Sequence, residues 1–559
     1  MRRIILGFLT LIVLVVSVGP ALIGSLAEPQ IGNRLELYQT DLLLQASELE
    51  PPDGFNATDI AGILGGTVSL EQVTTQYEKT QVAVQENLAR LSPQPQANRA
   101  DNGQSSGTPA LGTPDTETSS TLESPNSPNS TPELTPPATS NGTLSSSPQR
   151  EKTLSLNDDL GLRLGLLYAL QDKSAEAIAT WEPIAANTLG TRSTASVNQR
   201  EQGATAEVLI GLWSDPAQPV PDAEFHLKQT LTGWFRTRAL ERLYTIQQQP
   251  DDLAALRDQE QQDAQATLVK LGLLGAGPAL GCLIGVILFV VLLAQRIIKG
   301  KESLLAANHD TSRWTTPWDW EITWQVLLVG FFFLGQIILP VAVSLLRGLL
   351  TPLWQQQGLT LNLTSGQSTA ITTTIIYLLM AIASTLVLYF SIKSFLPLPE
   401  GWFKASLNGR WFLWGLGGYF CAVPLVIGVS ILNQQIWQGR GGSNPLLEIV
   451  LNEGDIVALG IFFFTAAIAA PIFEEILFRG FLLPSLTRYM PLWGAIILSS
   501  VIFATAHLSF SEVLPLTILG MVLGFVYGRS RNLLASMMVH SLWNSATMVG
   551  LLVLGSSVN

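Results

Sequence analysis

The chain has 559 residues and a net charge of −12, and 47% of its residues are hydrophobic whereas only 13% are charged. Soluble domains carry about 25% charged residues, so the composition indicates a membrane protein, and the length argues against a single domain. Between residues 28 and 269 we count about 32 acidic and about 15 basic side chains, so the acidity belongs to a soluble part and nothing indicates a nucleic-acid partner. The two cysteines, Cys282 and Cys421, lie in apolar segments, which argues against a disulfide framework and a thiolate metal site.

The N-terminus combines two basic residues with an apolar run. Arg2 and Arg3 precede the run from Ile4 to Ala21, and Ser25-Leu26-Ala27 resembles a small-x-small cleavage site. This order is typical of a signal peptide or a signal anchor, here residues 1–27. In either case the segment that follows is expected to be exported.

The exported segment divides into three regions by composition. Residues 28–92 have helical apolar spacing, whereas residues 93–150 are rich in Pro, Ser and Thr, which predicts a disordered linker. Residues 151–265 are predicted to be helical again.

The beginning of this third region has the spacing of a helical repeat. Gly165, Tyr168, Ala177 and Trp181 follow the pattern of a tetratricopeptide repeat, in which small residues let two helices approach and aromatic rings fill the gap. Asp172 stands where glycine is usual, and no clear second copy follows. A generic helical hairpin is therefore the alternative, and the region is either a surface for a protein partner or a spacer.

The rest of the chain contains a series of apolar runs. A membrane-spanning helix needs about 20 apolar residues. Counting the N-terminal run, about nine candidates indicate an all-α, polytopic membrane protein with accessory spans in 268–450 and a core in 451–554. The eight later candidates are Leu271–Ala294, Trp324–Leu346, Ile371–Phe390, Trp411–Leu432, Ile456–Phe478, Leu492–His507, Leu514–Tyr527 and Leu533–Leu554, the seventh being the shortest. Basic residues fall mostly on alternate connections, which places the exported segment on the non-cytoplasmic side.

Charged side chains interrupt one of these runs. Glu474, Glu475 and Arg479 lie in the sequence PIFEEILFRGFLL. Ionisable residues within a span are costly, so they indicate a functional site by default. Glu475 and Arg479 are four residues apart and should pair on one helix face, whereas Glu474 points about 100° away and is free to face a cavity.

Two later segments contain histidine. Phe503 and His507 end one span, and His540 and Asn544 share a face of the last one. If the Glu474 helix turns near Tyr489–Pro491 and returns, both Glu474 and His507 lie roughly 22–24 Å from the turn. A helical hairpin would therefore bring Glu474 and His507 to the same level.

These residue types favour hydrolysis of a peptide bond. A carboxylate and an imidazole can activate water as a general base, while a second imidazole and an amide can donate to the developing oxyanion. The alternative is a zinc site formed by Glu474, His507 and His540, with Glu475 as the base, although the chain has no H-E-x-x-H motif. Each residue also has a structural interpretation, as an ion pair, as a packing residue or, for Asn544, as a link between helices.

The three motifs together resemble the CPBP family of intramembrane proteases, also called Abi, which includes CAAX proteases and bacteriocin-processing enzymes. The resemblance covers about residues 455–550. It implies a helical membrane endopeptidase in which Glu474 and His507 activate water and His540 and Asn544 stabilise the oxyanion, with Glu475, Arg479 and Phe503 in support. The family is often classified as metalloproteases; we favour a metal-free mechanism and keep zinc as the alternative cofactor.

The resemblance leaves other functions open. The substrate would be a membrane-associated protein or peptide, and the long exported segment makes a prenylated substrate doubtful. Cyanobacterial members with similar extensions suggest a bacterial plasma membrane or a thylakoid membrane. A non-catalytic scaffold or bacteriocin-immunity-type protein is the main alternative, and a proton-coupled transporter is a third.

Overall fold

A computed structural model describes residues 1–26, 31–50, 69–91, 148–186, 196–305, 314–356, 363–438, 440–451 and 453–555. Within these ranges the regular elements are helices and none is a strand, which confirms the all-α prediction. Nearly all of the predicted linker, 93–150, lies outside the described residues, as does the cleavage point considered at Ala27.

The helices are numbered in chain order. The part of the chain before residue 250 contains α1 (Arg2–Ser25), α2 (Ile31–Ser47), α3 (Leu70–Leu91), α4 (Pro148–Ala169), α5 (Ser174–Ala185), α6 (Val197–Trp213), α7 (Ala223–Thr230) and α8 (Gly233–Gln247). The remaining helices are α9 (Pro250–Glu302), α10 (Trp320–Leu353), α11 (Ser365–Phe395), α12 (Trp411–Trp437), α13 (Pro445–Leu451), α14 (Ile456–Leu486), α15 (Leu492–Thr505), α16 (Phe510–Ser530) and α17 (Leu533–Gly555).

Eight of the described helices, α1, α9, α10, α11, α12, α14, α16 and α17, are long and apolar enough to cross a membrane. The remaining predicted span, α15, has 14 residues and is about 21 Å long, whereas the hydrocarbon core of a membrane is about 30 Å thick. The candidate Leu514–Tyr527 is confirmed as a helix long enough to span, and it is longer than predicted, because α16 begins at Phe510 and has 21 residues. Multiple spanning helices make the chain an integral, multi-pass membrane protein.

Small residues set the contacts between spans. A β-carbon at Gly285 of α9 would lie 2.1 Å from the carbonyl oxygen of Phe420 on α12, so only glycine allows this approach. Without a hydrophobic drive between helices in lipid, such close backbone packing is a main source of attraction. It fixes α9, which directly follows the helices before residue 250, against the bundle.

The N-terminal helix is part of the same bundle. Leu6, Val13 and Val18 are buried in the core that contains the charged motif, and the hydroxyl of Ser25 accepts a hydrogen bond from the backbone N–H of Phe510 at 3.2 Å. These contacts favour the interpretation as a retained anchor.

Helices α2–α8 have their own core, with the α4–α5 hairpin at its centre. Trp181 is fully buried and donates from Nε1 to the carbonyl of Leu162 at 3.1 Å. A β-carbon at Gly165 would lie 2.2 Å from that nitrogen, which explains the glycine. Asp172 has a φ of 61°, the left-handed conformation for which glycine is usual at a helix end. Gly165 and Trp181 pack between the two helices as predicted, whereas the Tyr168 hydroxyl donates to Glu78 of α3 at 2.7 Å. The assignment to tetratricopeptide repeats stays a prediction.

Candidate functional site

The site begins with a break in the backbone hydrogen bonding of α14. Pro471 has no N–H, so it cannot bond a carbonyl of the preceding turn, and Thr465–Ala469 forms a wider, π-helical turn there. Side chains of α17 use these carbonyls: Ser541 donates to Ala467 at 2.5 Å and Asn544 donates to Ala466 at 2.7 Å. These two bonds fix α17 against α14 next to Glu474.

The predicted pair of Glu475 and Arg479 is present and completely buried. Nη1 of Arg479 lies 2.8 Å from Oε1 of Glu475, and the two side chains are 1% and 0% exposed. Arg479 also points Nη2 at the carbonyl of Gly520, 3.4 Å away, and its guanidinium lies over the Phe503 ring, 4.4 Å from the centroid. The pair therefore joins α14 to α15 and α16.

His540 lies between the two carboxylates. Its Nδ1 is 3.0 Å from Oε1 of Glu475, and its Nε2 is 3.8 Å from Oε2 of Glu474. Because a carboxylate accepts, Nδ1 carries a proton, and Nε2 can donate only when the ring is doubly protonated. His540 thus connects the buried ion pair to Glu474, a link that sequence spacing did not indicate.

The helices α14 and α15 form the expected hairpin, with Pro491 capping the return helix. Phe478 contacts Phe503 with ring centroids 5.3 Å apart, and Glu474 and His507 each lie four residues further from the turn. The two residues therefore lie at about the same level. No direct bond between them is observed in the described part of the chain.

His507 has a defined tautomer in this arrangement. Its Nδ1 lies 3.0 Å from the carbonyl oxygen of Phe503, and since a carbonyl can only accept, Nδ1 carries the proton. A neutral ring then has its lone pair at Nε2, as a base requires. Leu508, with a φ of 59°, ends the helical path directly after this histidine.

The turn after His507 is held by the loop that follows α12. The Ser509 hydroxyl donates to the Gly441 carbonyl at 3.1 Å, and the Glu512 carboxylate accepts from the Asn444 N–H at 2.6 Å. Gly441 has a φ of 102°, a conformation that favours glycine. This loop therefore covers the end of the bundle nearest to His507.

Two accessory helices supply groups that sequence reasoning missed. The hydroxyl of Tyr377 on α11 donates to Oε1 of Glu474 at 2.9 Å. The amide of Gln336 on α10 donates to the carbonyl of Ala506, beside His507, at 3.3 Å. Each is one of several polar residues in its span, so nothing in the sequence set either one apart.

The structure joins five of the predicted residues in one network and places His507 and Asn544 next to it. One network contains Glu474, Glu475, Arg479, Phe503 and His540. The His507 ring contacts the Phe503 ring of this network, with centroids 5.0 Å apart. Asn544 donates one N–H of its side-chain amide to a backbone carbonyl of α14. The described residues contain no group of three or more His, Cys, Asp or Glu side chains that could hold a metal ion. The zinc site of Glu474, His507 and His540 stays an untested alternative.

Fold and site define an all-helical, polytopic membrane protein with a buried network of ionisable groups. The sequence profile described as "Type II CAAX prenyl endopeptidase Rce1-like" matches residues 457–546, which include every site residue predicted from the sequence. The protein YxdF of Lactococcus lactis subsp. lactis, a UPF0177 protein, is 37% identical over 137 residues, 24% of this chain and 73% of that protein. The chain belongs to the CPBP family of CAAX-protease-like membrane proteins.

A second relative is more distant. YdiL of Bacillus subtilis, named as a candidate membrane peptidase, is 26% identical over 141 residues, which are 25% of this chain. The match spans 57% of YdiL, so the chain covers little more than half of that relative. No solved structure is significantly similar to the chain.

Proposed function

We propose that this protein is an intramembrane endopeptidase that hydrolyses peptide bonds of membrane-associated proteins or peptides. The observation that carries the proposal is the buried network around Glu474 and His540, in a segment that matches a peptidase family. Two carboxylates, a guanidinium and an imidazole within apolar helices are expensive to bury, and catalysis accounts for that cost.

In the proposed mechanism Glu474 and His507 activate a water molecule between the two arms of the hairpin. Glu474 presents Oε2 on the side facing His540, and the neutral His507 ring has its lone pair at Nε2. The water loses a proton to this pair and attacks the peptide carbonyl carbon, and the proton then passes to the leaving amine.

The developing oxyanion is assigned to His540 and Asn544. Asn544 retains a second N–H beyond the one bonded to Ala466, and doubly protonated His540 would donate from Nε2. Glu475 and Arg479 act in this scheme by holding His540, because Glu475 fixes its Nδ1.

The experiment is peptide-library cleavage by the full chain in liposomes, with and without a zinc chelator. We expect chelator-resistant cleavage that is lost in Glu474→Gln and in His507→Ala, while Glu302→Gln and His226→Ala, which alter groups outside the site, retain it. Full turnover in either site variant would refute the proposal. Stoichiometric zinc with chelator-sensitive cleavage would replace it with the metal-dependent alternative, in which Glu475 is the base.

One observation favours the second candidate, a non-catalytic scaffold or bacteriocin-immunity-type protein. Asn544 and Ser541 bond backbone carbonyls of α14, as polar residues that only join helices would do. Under this alternative Glu474→Gln would retain the cellular function of the protein, whereas it abolishes that function under the proposed mechanism.

The orientation in the membrane is also proposed. Basic residues cluster at one end of the bundle, where Arg3 pairs with Glu321 at 2.5 Å and Arg529 donates to the carbonyl of Leu305. The positive-inside rule makes this end cytoplasmic and places residues 28–265 on the opposite side, of a bacterial plasma membrane or a cyanobacterial thylakoid. Cysteine labelling of the exported helices in intact cells tests the orientation, and labelling only after lysis would reverse it.

A further inference from the structure

The carboxylate of Glu474 has a partner outside the segment that matches the family. Tyr377 lies on α11, 80 residues before the beginning of that match at residue 457, and its hydroxyl donates to Oε1 of Glu474 at 2.9 Å. Its ring meets Phe473 edge-on, with centroids 6.1 Å apart and an interplanar angle of 83°. The contact therefore combines a packed ring with a directed hydrogen bond to the proposed base.

The position of Tyr377 is fixed by a contact one helical turn away. The hydroxyls of Thr374 on α11 and Thr465 on α14 are 2.7 Å apart, so one of them can donate to the other. Each hydroxyl also lies within hydrogen-bond distance of a carbonyl in its own helix. Thr374 and Tyr377 are three residues apart and share a face of α11. The first contact sets the height of α11 against α14, so the tyrosine hydroxyl reaches the carboxylate.

The hydrogen bond makes the two oxygens of Glu474 different. Oε1 accepts from Tyr377, whereas Oε2 points to the side of His540, 3.8 Å from Nε2. We propose that Tyr377 is a positioning residue that holds the Glu474 carboxylate by one oxygen and leaves the other directed at the reacting water. The inference rests on the proposed function, because it assigns a role within the same site.

The test is Tyr377→Phe in the full chain in liposomes, which keeps the ring on Phe473 and removes only the hydroxyl. We expect kcat to fall roughly ten- to hundredfold while KM is unchanged, because the base is misplaced after the substrate has bound. The control is Tyr389→Phe, a change on the same helix at a ring that is 52% exposed, with wild-type kinetics expected. A kcat within twofold of wild type in Tyr377→Phe would overturn the proposal.

A second readout does not depend on turnover. The infrared carboxylate bands of Glu474 are assigned by their loss in Glu474→Gln, and they should shift in Tyr377→Phe but not in Tyr389→Phe. Unshifted bands would overturn the positioning role at the level of the hydrogen bond. Tyr377→Phe could instead lower the unfolding temperature and lose activity because part of the protein is unfolded. If its activity returns on cooling, Tyr377 has a structural role and the positioning role is overturned.

A different variant, Glu474→Gln, tests the proposed function itself. If Glu474→Gln retains wild-type turnover, Glu474 is not the base, and both the proposed mechanism and the role of Tyr377 are refuted. If Glu474→Gln is inactive while Tyr377→Phe is normal, the mechanism stands and only the positioning role is refuted.

Discussion

The buried ion pair in α14 gives the sharpest stability prediction. Replacing Arg479 with Met keeps much of the side-chain volume and leaves Glu475, which is 0% exposed, without its cation. Breaking one side of such a pair costs about 3–5 kcal/mol, because the remaining charge is buried without compensation. The loss of the guanidinium from the Phe503 ring adds to this cost. We therefore expect Arg479→Met to destabilise the protein by about 3–5 kcal/mol.

Removing both charges should cost less than removing one. In Glu475→Gln with Arg479→Met no buried charge remains at the pair, and the Gln carbonyl can still accept from Nδ1 of His540. We expect the double variant to recover at least about 2 kcal/mol of the single-variant loss, since replacing a buried ion pair by neutral groups is often close to neutral. The assay is reversible unfolding in mixed micelles, followed by tryptophan fluorescence.

The matched control is Arg347→Met. Arg347 is exposed, lies on another span and has one observed hydrogen bond, to the Ser368 hydroxyl at 3.2 Å. Its loss should change the free energy of unfolding by no more than about 0.5 kcal/mol. The reasoning is refuted if Arg479→Met and Arg347→Met cost the same, or if the double variant is no more stable than Arg479→Met.

Three further predictions concern other parts of the chain. Asp455 caps α14, and the hydrogen bond from the Thr364 hydroxyl, followed by those from backbone N–H groups, lowers the pKa of its carboxyl. The stabilisation by the ionised carboxylate is complete above about pH 4 and is lost as the pH falls through the lowered pKa. Asp455→Asn should therefore weaken the dependence of unfolding on acid pH. Gly165→Ala should destabilise helices α2–α8 by about 1–3 kcal/mol, measured by hydrogen exchange, whereas Gly272→Ala, with nothing within 4 Å of the added carbon, should not. The purified protein should retain α1, and an intact mass that lacks α1 would contradict its role in the core.

Sequence reasoning predicted the buried ion pair and the hairpin correctly because their signals are local. Glu475 and Arg479 are four residues apart in an apolar run, and helix geometry alone predicts that they pair. The hairpin of α14 and α15 followed from chain lengths on either side of Pro491. These inferences need only the rise of a helix and the cost of charge in a membrane.

The contacts of His540 and Asn544 could not be read in the same way. They share a helix face, which suggested a common role, yet His540 bonds a carboxylate and Asn544 bonds a backbone carbonyl. The difference originates in α14, where Pro471 and the wide turn before it leave carbonyls open. A sequence shows the proline, but it does not show which helix lies opposite.

Tyr377 and Gln336 were missed for a related reason. Each is one of several polar residues in an accessory span, and contacts between helices are an adequate explanation for such residues. Only the contact between α11 and α14 shows that the tyrosine hydroxyl meets Glu474. Tertiary packing of distant segments is the information that periodicity and spacing lack.

The packing between distant helices also determines which parts of the chain the proposed site requires. The core around the site includes Leu6 and Val13 of α1 and Phe331 of α10, together with Phe478 and Phe503 of the hairpin. A boundary at residue 451 would divide this core and expose apolar surface that the site residues depend on for their rigidity. A fragment of residues 451–554 would also lack the hydroxyl that holds Glu474. The accessory spans therefore contribute to the proposed site, although the family profile matches residues 457–546.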